Sequence, residues 1–248
     1  MKTSEEQVKK ANKEFYDIVG SNYEKLDGRR TESLYAYVED QLKEAGTLGD
    51  TESILDLGCG NGFVSQVAAH LFKQRYAIDI SCFILRGIKD PQLKKIVADS
   101  DFIPIRENQI DVVGAFAFLH HCYSFERVCG EVYRVLKPGG IFYSDHDMDI
   151  SFYSRFKRLM KIYRKVHNAK KRYMESFDAL SENLYDCSEF HQNGIQPDLI
   201  CSLLKKIGFS EVSISFHWFG LSLFSDRLFG KKKYPRGWAP LTRIVALK

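Results

Sequence analysis

Apolar positions recur at two different spacings along the chain, and the change of spacing divides it. Over residues 5–19, Val8, Ala11, Phe15 and Val19 fall three and four apart. Over 31–45, Leu34, Tyr37, Val38 and Leu42 do the same, and both stretches predict helices with one face turned inward. From residue 53, short apolar runs alternate with helical stretches. Ile54-Leu55-Asp56-Leu57 predicts a strand ending in glycines, Val64 to Phe72 a helix, and Tyr76-Ala77-Ile78 and Ile96-Val97-Ala98 two further strands. The run from Ile110 to Phe118 is apolar at nearly every position, the pattern of a strand buried on both faces. A helix over Ser124 to Leu136 meets Lys137-Pro138-Gly139-Gly140, through which no helix continues, and Ile141-Phe142-Tyr143 opens a fifth strand. This alternation predicts βαβ units and a mostly parallel sheet, with ligands at the carboxyl ends of the strands. Residues 151–195 break the rhythm with a largely helical stretch. It resumes with a helix over 196–207 and strands over 212–218 and 244–247. The predicted organisation is therefore a core from 1–150, a helical insert over 151–195, and completion of the core from 196–248.

Composition narrows the class. Hydrophobic residues make up 44% and charged residues 27%, the balance of a folded domain rather than a disordered or disulfide-held chain. No apolar run approaches the roughly 18 residues of a membrane span. The opening Met1-Lys2-Thr3-Ser4-Glu5-Glu6 lacks the apolar stretch of a signal peptide. Cys59, Cys82, Cys122, Cys129, Cys187 and Cys201 show no CxxC or Cys/His ligand spacing, so they are expected to be reduced thiols in a cytoplasmic protein. The net charge of +4 conceals a split: residues 1–150 carry 18 Lys/Arg against 24 Asp/Glu, and 151–248 carry 18 against 8. An anionic partner for the second part is worth looking for.

The chemistry-bearing stretch is Asp56-Leu57-Gly58-Cys59-Gly60-Asn61-Gly62, between a strand and a helix. Glycines there permit positive φ and let a ligand approach the backbone, and the following helix offers free N–H groups. Asp79 ends the second strand, placed to accept both hydrogen bonds of a ribose diol. The spacing is GxGxG, not the GxGxxG of dinucleotide binders.

These residues resemble motif I and the following acidic motif, Ala77-Ile78-Asp79-Ile80-Ser81, of the class I S-adenosylmethionine (SAM) dependent methyltransferases. Ala98-Asp99-Ser100 resembles the segment that contacts adenine. Ile110-Asp111-Val112-Val113 leading to Leu119-His120-His121 resembles the small-molecule branch of the ubiquinone/menaquinone-pathway type. Glu131 to Gly140 is similar to the family's helix, turn and fifth strand. The resemblance implies an α/β fold: a Rossmann-like, seven-stranded, mostly parallel sheet with helices on both faces, a closing antiparallel strand pair, and a helical lid insert after strand five. It implies SAM as cofactor, with Asp56 at its amino group and Gly58, Cys59, Gly60 and Gly62 beneath its methionine part. It further implies Asp79 at the ribose, Ile80 on adenine, Asp99 and Ser100 at the adenine edge, and Ala115 and Phe116 at the methionine end. Phe15, Tyr16 and Tyr23 resemble aromatic residues that close over SAM.

Methyl transfer from a sulfonium needs an aligned acceptor more than a nucleophilic side chain, and a general base helps where the acceptor must lose a proton. His120, His121, Asp145 and His146 are the candidates, and no ligand spacing among them or with Asp147 and Asp149 predicts a metal. The segment 151–174 carries nine Lys/Arg and no acid, with Phe152, Phe156, Leu159, Tyr163 and Val166 at helical spacing. Three roles stay open: a solvated face of a lid, cations presented to an anionic or lipid-like acceptor or to a membrane surface, and a nucleic-acid contact aided by Lys231-Lys232-Lys233. Tyr163, Tyr173, Phe177, Tyr185, Phe190, Phe216, Trp218 and Phe219 are expected mostly in the core, with a few lining an acceptor pocket. The expected activity is methyl transfer to a small-molecule or lipid-like acceptor. The rivals are an RNA methyltransferase, which the missing Asn/Asp-Pro-Pro-Tyr motif disfavours, and a non-catalytic SAM-binding protein.

Overall fold

The computed structural model describes residues 3–20, 30–46 and 52–248. Two helices, α1 (Glu5–Val19) and α2 (Glu32–Gly46), precede the sheet. The apolar positions that predict α1 are the ones it buries, and Ser4 starts it with a reciprocal hydrogen-bonded cap to Gln7. The core then runs β1 (Ser53–Leu57), α3 (Phe63–Val67), β2 (Gln74–Asp79), α4 (Cys82–Gly87), β3 (Leu93–Val97), β4 (Ile110–Phe116), α5 (Phe125–Val135) and β5 (Leu136–Met148). Helix α3 is one turn long before it tightens into a 3-10 turn over Ala68–His70. Helix α5 stops where Pro138 follows, but the strand already begins at Leu136 and carries the Pro-Gly-Gly within it.

The seven strands lie in the order β3-β2-β1-β4-β5-β7-β6. The first five are parallel, and β7 (Leu241–Leu247) runs antiparallel between β5 and β6 (Glu211–His217). Chain order reverses between β1 and β4, which makes a crevice at their carboxyl ends. One face of the sheet packs on α5 and α10 (Pro197–Ile207) through Val113, Val132, Ile200 and Leu204. The other packs on α2 and α3 through Ile54, Leu42, Val64 and Tyr143.

Between Ile150 and Ser188 the chain leaves the sheet as four helices: α6 (Ile150–Arg155), α7 (Lys157–His167), α8 (Ala169–Ser176) and α9 (Glu182–Ser188). The excursion closes on itself, since Ile195 pairs with Met148 and Ile150 through backbone hydrogen bonds of 2.8 and 3.1 Å. Its second half packs against α1, with Phe15 and Val19 set among Tyr173, Leu180 and Tyr185. A short helix, α11 (Leu223–Phe229), lies between β6 and β7.

Candidate active site

The carboxyl ends of β1, β2, β4 and β5, roofed on one side by α1, enclose a cleft of about 1240 Å³ measured out to its open mouth. One end of it is built like a nucleoside site. Gly58 has φ +63° and its Cα lies against the Phe118 ring: a Cβ there would fall 2.0 Å from a ring carbon, so only glycine fits. Gly60, with φ +52°, donates its N–H to Asp79 Oδ2 at 2.9 Å, and Ser81 N–H donates to Oδ1 at 2.9 Å. Burial pushes the Asp79 carboxyl up to about 6, against the pull of those N–H groups. Ile78, Ile80 and Ala98 give the adjoining wall apolar surface, and Asp99 and Ser100 its polar edge. From α1, Lys9 reaches across to Asp99 at 2.8 Å and also bonds Asp101 and Glu5. Burial alone would lower the pKa of Lys9, but the three carboxylates outweigh it and raise it. Cys59 and Cys122 line the cleft too, and burial holds both thiols well above their usual range, so neither is a thiolate nucleophile.

The other end is aromatic and imidazole-lined. The Phe116 ring stacks on His146, with centroids 4.1 Å apart. Ala117 and His146 hold φ of +50° and +70°, left-handed conformations that cost non-glycine residues energy. The Ala117 N–H donates to the Asp145 carbonyl at 2.8 Å, which fixes both strand ends together. A register shift between Ser144 and Asp147, where β5 pairs with β7, accompanies the kink; His146 joins the cleft wall while Asp145 stays buried behind it. Asp145 Oδ1 accepts from His146 Nδ1 at 3.0 Å and from His217 Nε2 at 2.8 Å, and Oδ2 accepts from Tyr143 Oη at 2.9 Å. Burial would raise the Asp145 pKa, but the His217 and His146 rings and their hydrogen bonds prevail and hold it well below the usual carboxylate range.

A second imidazole faces the cleft from the turn after β4. His121 Nδ1 lies 2.7 Å from the Ser188 carbonyl, which can only accept, so the proton sits on Nδ1 and Nε2 accepts from Tyr16 Oη at 2.9 Å. Burial drives the His121 pKa down to about 4, keeping the ring neutral at physiological pH. Asn12 donates to the His121 carbonyl at 3.0 Å, so α1, the β4 turn and the end of α9 are tied at one point.

Eleven of the residues anticipated from sequence line this cleft: Tyr16, Gly58, Cys59, Gly60, Asp79, Ile80, Asp99, Ser100, Phe116, His121 and His146. Asp56, Gly62, Ala115, His120 and Asp145 do not. Asp56 Oδ2 turns away and accepts from Ser65 N and Oγ at 2.8 and 2.7 Å, and burial pushes its carboxyl up to about 6. It closes β1 onto α3 rather than facing the cleft. Gly62 packs on Ile88, and Ala115 is enclosed within the sheet. His120 bonds Asp147 at 2.7 Å, outside the cleft. Tyr23 lies outside the described residues. No residue of 151–195 is among those lining the cleft, and neither are Phe216, Trp218 and Phe219. That departs from the expected lid and its aromatic pocket: Tyr173, Phe177 and Tyr185 pack in the cluster with α1, Phe152 on Trp218 and Phe190 on Tyr123.

Sequence reading missed Lys9, Asn12, Phe118 and His217. Lys9, Asn12 and Tyr16 stand at i, i+3 and i+7, so a polar stripe beside the apolar face of α1 was the available signal. His217 had none, because the sheet brings it 72 residues along the chain to Asp145. Nor did spacing foresee that Asp145, His146 and His217, and likewise His120, His121 and Glu189, place ligand-type atoms within 4.8 Å of one another. In both sets the imidazoles already bond carboxylates or carbonyls, so they are hydrogen-bonded networks rather than open cages.

Residues 55–144 match the family described as Methyltransferase domain. Among curated proteins, an uncharacterized protein of Methanocaldococcus jannaschii is 30% identical over 132 residues, 52% of this chain and 49% of that one. The mitochondrial arginine-hydroxylase NDUFAF5 of Mus musculus is 33% identical over 94 residues, 36% of this chain and 26% of its own length. The matched stretch thus spans half or less of these relatives. A malonyl-[acyl-carrier protein] O-methyltransferase of Yersinia pestis is 30% identical over 90 residues, 36% of this chain and 34% of that one. In fold, a SAM-dependent methyltransferase of Thermotoga maritima superposes with a TM-score of 0.61 at 16% identity, covering 95% of this chain and 99% of that one. Phosphoethanolamine N-methyltransferase 2 of Haemonchus contortus, solved with SAM, gives 0.59 at 16% identity over 99% of this chain and 57% of that one. From β1 to the middle of β5 the chain matches the methyltransferase-domain family, and it has the Rossmann-like fold of the SAM-dependent methyltransferases on which it superposes.

Proposed function

We propose that the chain is a SAM-dependent methyltransferase acting on a small-molecule or lipid-like acceptor held beside His146. One observation carries this reading: a single cleft joins the nucleoside-type end, at Gly60 and Asp79, to the imidazole-lined end at His146. The residues fit the cofactor, since Asp79 keeps acceptor capacity on both oxygens for a ribose diol while Ile78, Ile80 and Ala98 offer an apolar face to a base. SAM supplies an electrophilic methyl group that its sulfonium readily releases. The chain holds the acceptor in line and excludes water, with Phe116 and Leu34 as apolar walls. His146 Nδ1–H donates to Asp145, which fixes the ring in the cleft wall with Nε2 buried beside Gly220, and this ring is the group placed to take the acceptor's proton once Nε2 is uncovered. His217, on the same carboxylate oxygen, steadies Asp145 from behind.

The hydrogen-bonded His146–Asp145 pair favours an acceptor hydroxyl, amine or acidic carbon over a thiolate, which needs no base at neutral pH. Calorimetry with SAM and its demethylated product, followed by transfer of labelled methyl from SAM into small-molecule and lipid extracts, tests the reading. Binding of both ligands with label in an extractable small product is the expected result. Absence of binding to either ligand would defeat it, and binding without transfer would leave only a SAM-binding protein.

A further inference from the structure

Helix α7 presents an apolar stripe to solvent. Leu159, Ile162 and Val166 are 61%, 62% and 74% exposed, as are Leu223 and Leu228 of α11 at 70% and 61%, but of these two helices only α7 is without acids. At 100° per residue the three fall within an arc of about 60°, whereas Met160, on another side of the helix, is buried. Beside that arc stand Arg158, Lys161 and Lys165, all exposed, and among the described residues none of them forms an ion pair. The first acid after Asp149 is Glu175, so no carboxylate on α7 neutralises the face.

We propose that this face of α7 docks on the surface of a bilayer containing anionic lipid. The chemistry selects that partner among the alternatives. Phosphates of RNA would use the cations, and Tyr163 beside Leu159 offers one exposed ring, but the three aliphatic side chains give stacked bases nothing. A second copy meeting this face symmetrically would set the cations of α7 against one another with no acid on that helix to offset them. An anionic lipid surface uses both features together: aliphatic side chains enter the acyl boundary and the neighbouring cations meet the headgroups. Phe156 meets the Trp238 ring at 6.2 Å, and Trp238 is itself half-exposed, an amphipathic ring suited to headgroup depth. The face lies apart from the cleft, because no residue of α7 lines it. Docking therefore does not depend on the methyl-transfer reading.

The test is cosedimentation of the full chain with phosphatidylcholine vesicles, with and without about a quarter phosphatidylglycerol. Binding to the anionic vesicles and not to the neutral ones is expected, weakened by added salt. The triple variant Leu159→Ser, Ile162→Ser, Val166→Ser should bind at least about tenfold more weakly, as should Arg158→Glu, Lys161→Glu, Lys165→Glu. All six positions are exposed, so the thermal melts and SAM affinities of both variants should match the parent. Failure of the parent chain to bind anionic vesicles overturns the proposal. So does an apolar triple variant that binds them as well as the parent does. Retention of short RNA that needs the cations but not the aliphatic residues would reassign the face to nucleic acid. A parent dimer that becomes monomeric in the apolar variant would reassign it to self-association.

Discussion

Two residues at opposite ends of the cleft separate binding from chemistry. Asp79 is placed by backbone N–H groups of Gly60 and Ser81 and touches nothing at the imidazole end. His146 is placed by Asp145 and the Phe116 ring and touches nothing at the nucleoside end. Asp79→Ala should therefore weaken SAM binding by about 2 kcal/mol or more, the cost of losing hydrogen bonds to a charged group, and it also leaves the Gly60 and Ser81 N–H groups without their acceptor. His146→Gln should leave SAM affinity within about twofold but lower kcat roughly hundredfold or more, the ordinary contribution of a positioned base. Calorimetry and single-turnover kinetics on the two variants read the split directly. If His146→Gln cost affinity and spared the rate, the ring would belong to the cofactor's environment and not to the acceptor's.

At the scale of elements, α1 decides whether the cleft has a roof. It contributes Lys9, Asn12 and Tyr16 to the wall and is held from behind by α8 and α9, with Phe15 edge-on to Tyr173 and Tyr185 at 5.4 and 5.9 Å. Phe15→Ala empties that contact, a loss of about 3–5 kcal/mol where it is fully felt. The sheet does not depend on it, so the expected result is local. Amide exchange should quicken across 5–19 and 182–188, at unchanged rates in β1, β4 and β5, together with weaker SAM binding. Uniform quickening throughout the chain would mean that α1 is part of the global fold and not a separable roof. The same element shows what a sequence discloses. Its apolar period was legible because Val8, Ala11, Phe15 and Val19 face one way, and the strand–glycine–helix order at 54–64 was legible because each part has its own spacing. Helices α4 and α11 escaped, as short pieces of six and seven residues with too few turns to show a period. His217 and the Ser188 carbonyl escaped for another reason: their partners are assigned by sheet order and by the closing of the insert, which no local pattern encodes.

The whole molecule balances buried titratable groups of opposite tendency, and its response to pH follows from the balance. Asp56 and Asp79 are both pushed up to about 6 by burial, so folding favours their neutral forms. Each contributes stability below its unfolded pKa that is lost as pH rises towards 6, about 3 kcal/mol apiece. His121, held down to about 4 by burial, acts in the reverse sense. Its contribution is present above its unfolded value near 6.5 and is lost as pH falls towards 4, again about 3 kcal/mol. Burial also lowers His191, which adds to that second sense. Over pH 4 to 6 the two tendencies oppose each other, but two carboxyls outweigh one imidazole, so the ligand-free chain should lose a few kcal/mol of urea stability as pH rises across that interval. A bound ribose diol shifts the balance at one group, because both its hydroxyls find acceptors on Asp79 only while the carboxylate is ionised. SAM affinity should accordingly fall about tenfold per pH unit below about 6, and the stabilisation at a fixed SAM concentration should shrink with it. Asp79→Asn should abolish that pH dependence. Urea titrations at pH 5 and 7.5, with and without SAM, measure both quantities. An affinity flat across that interval would show that the ribose does not meet Asp79, and would move the nucleoside to another part of the cleft.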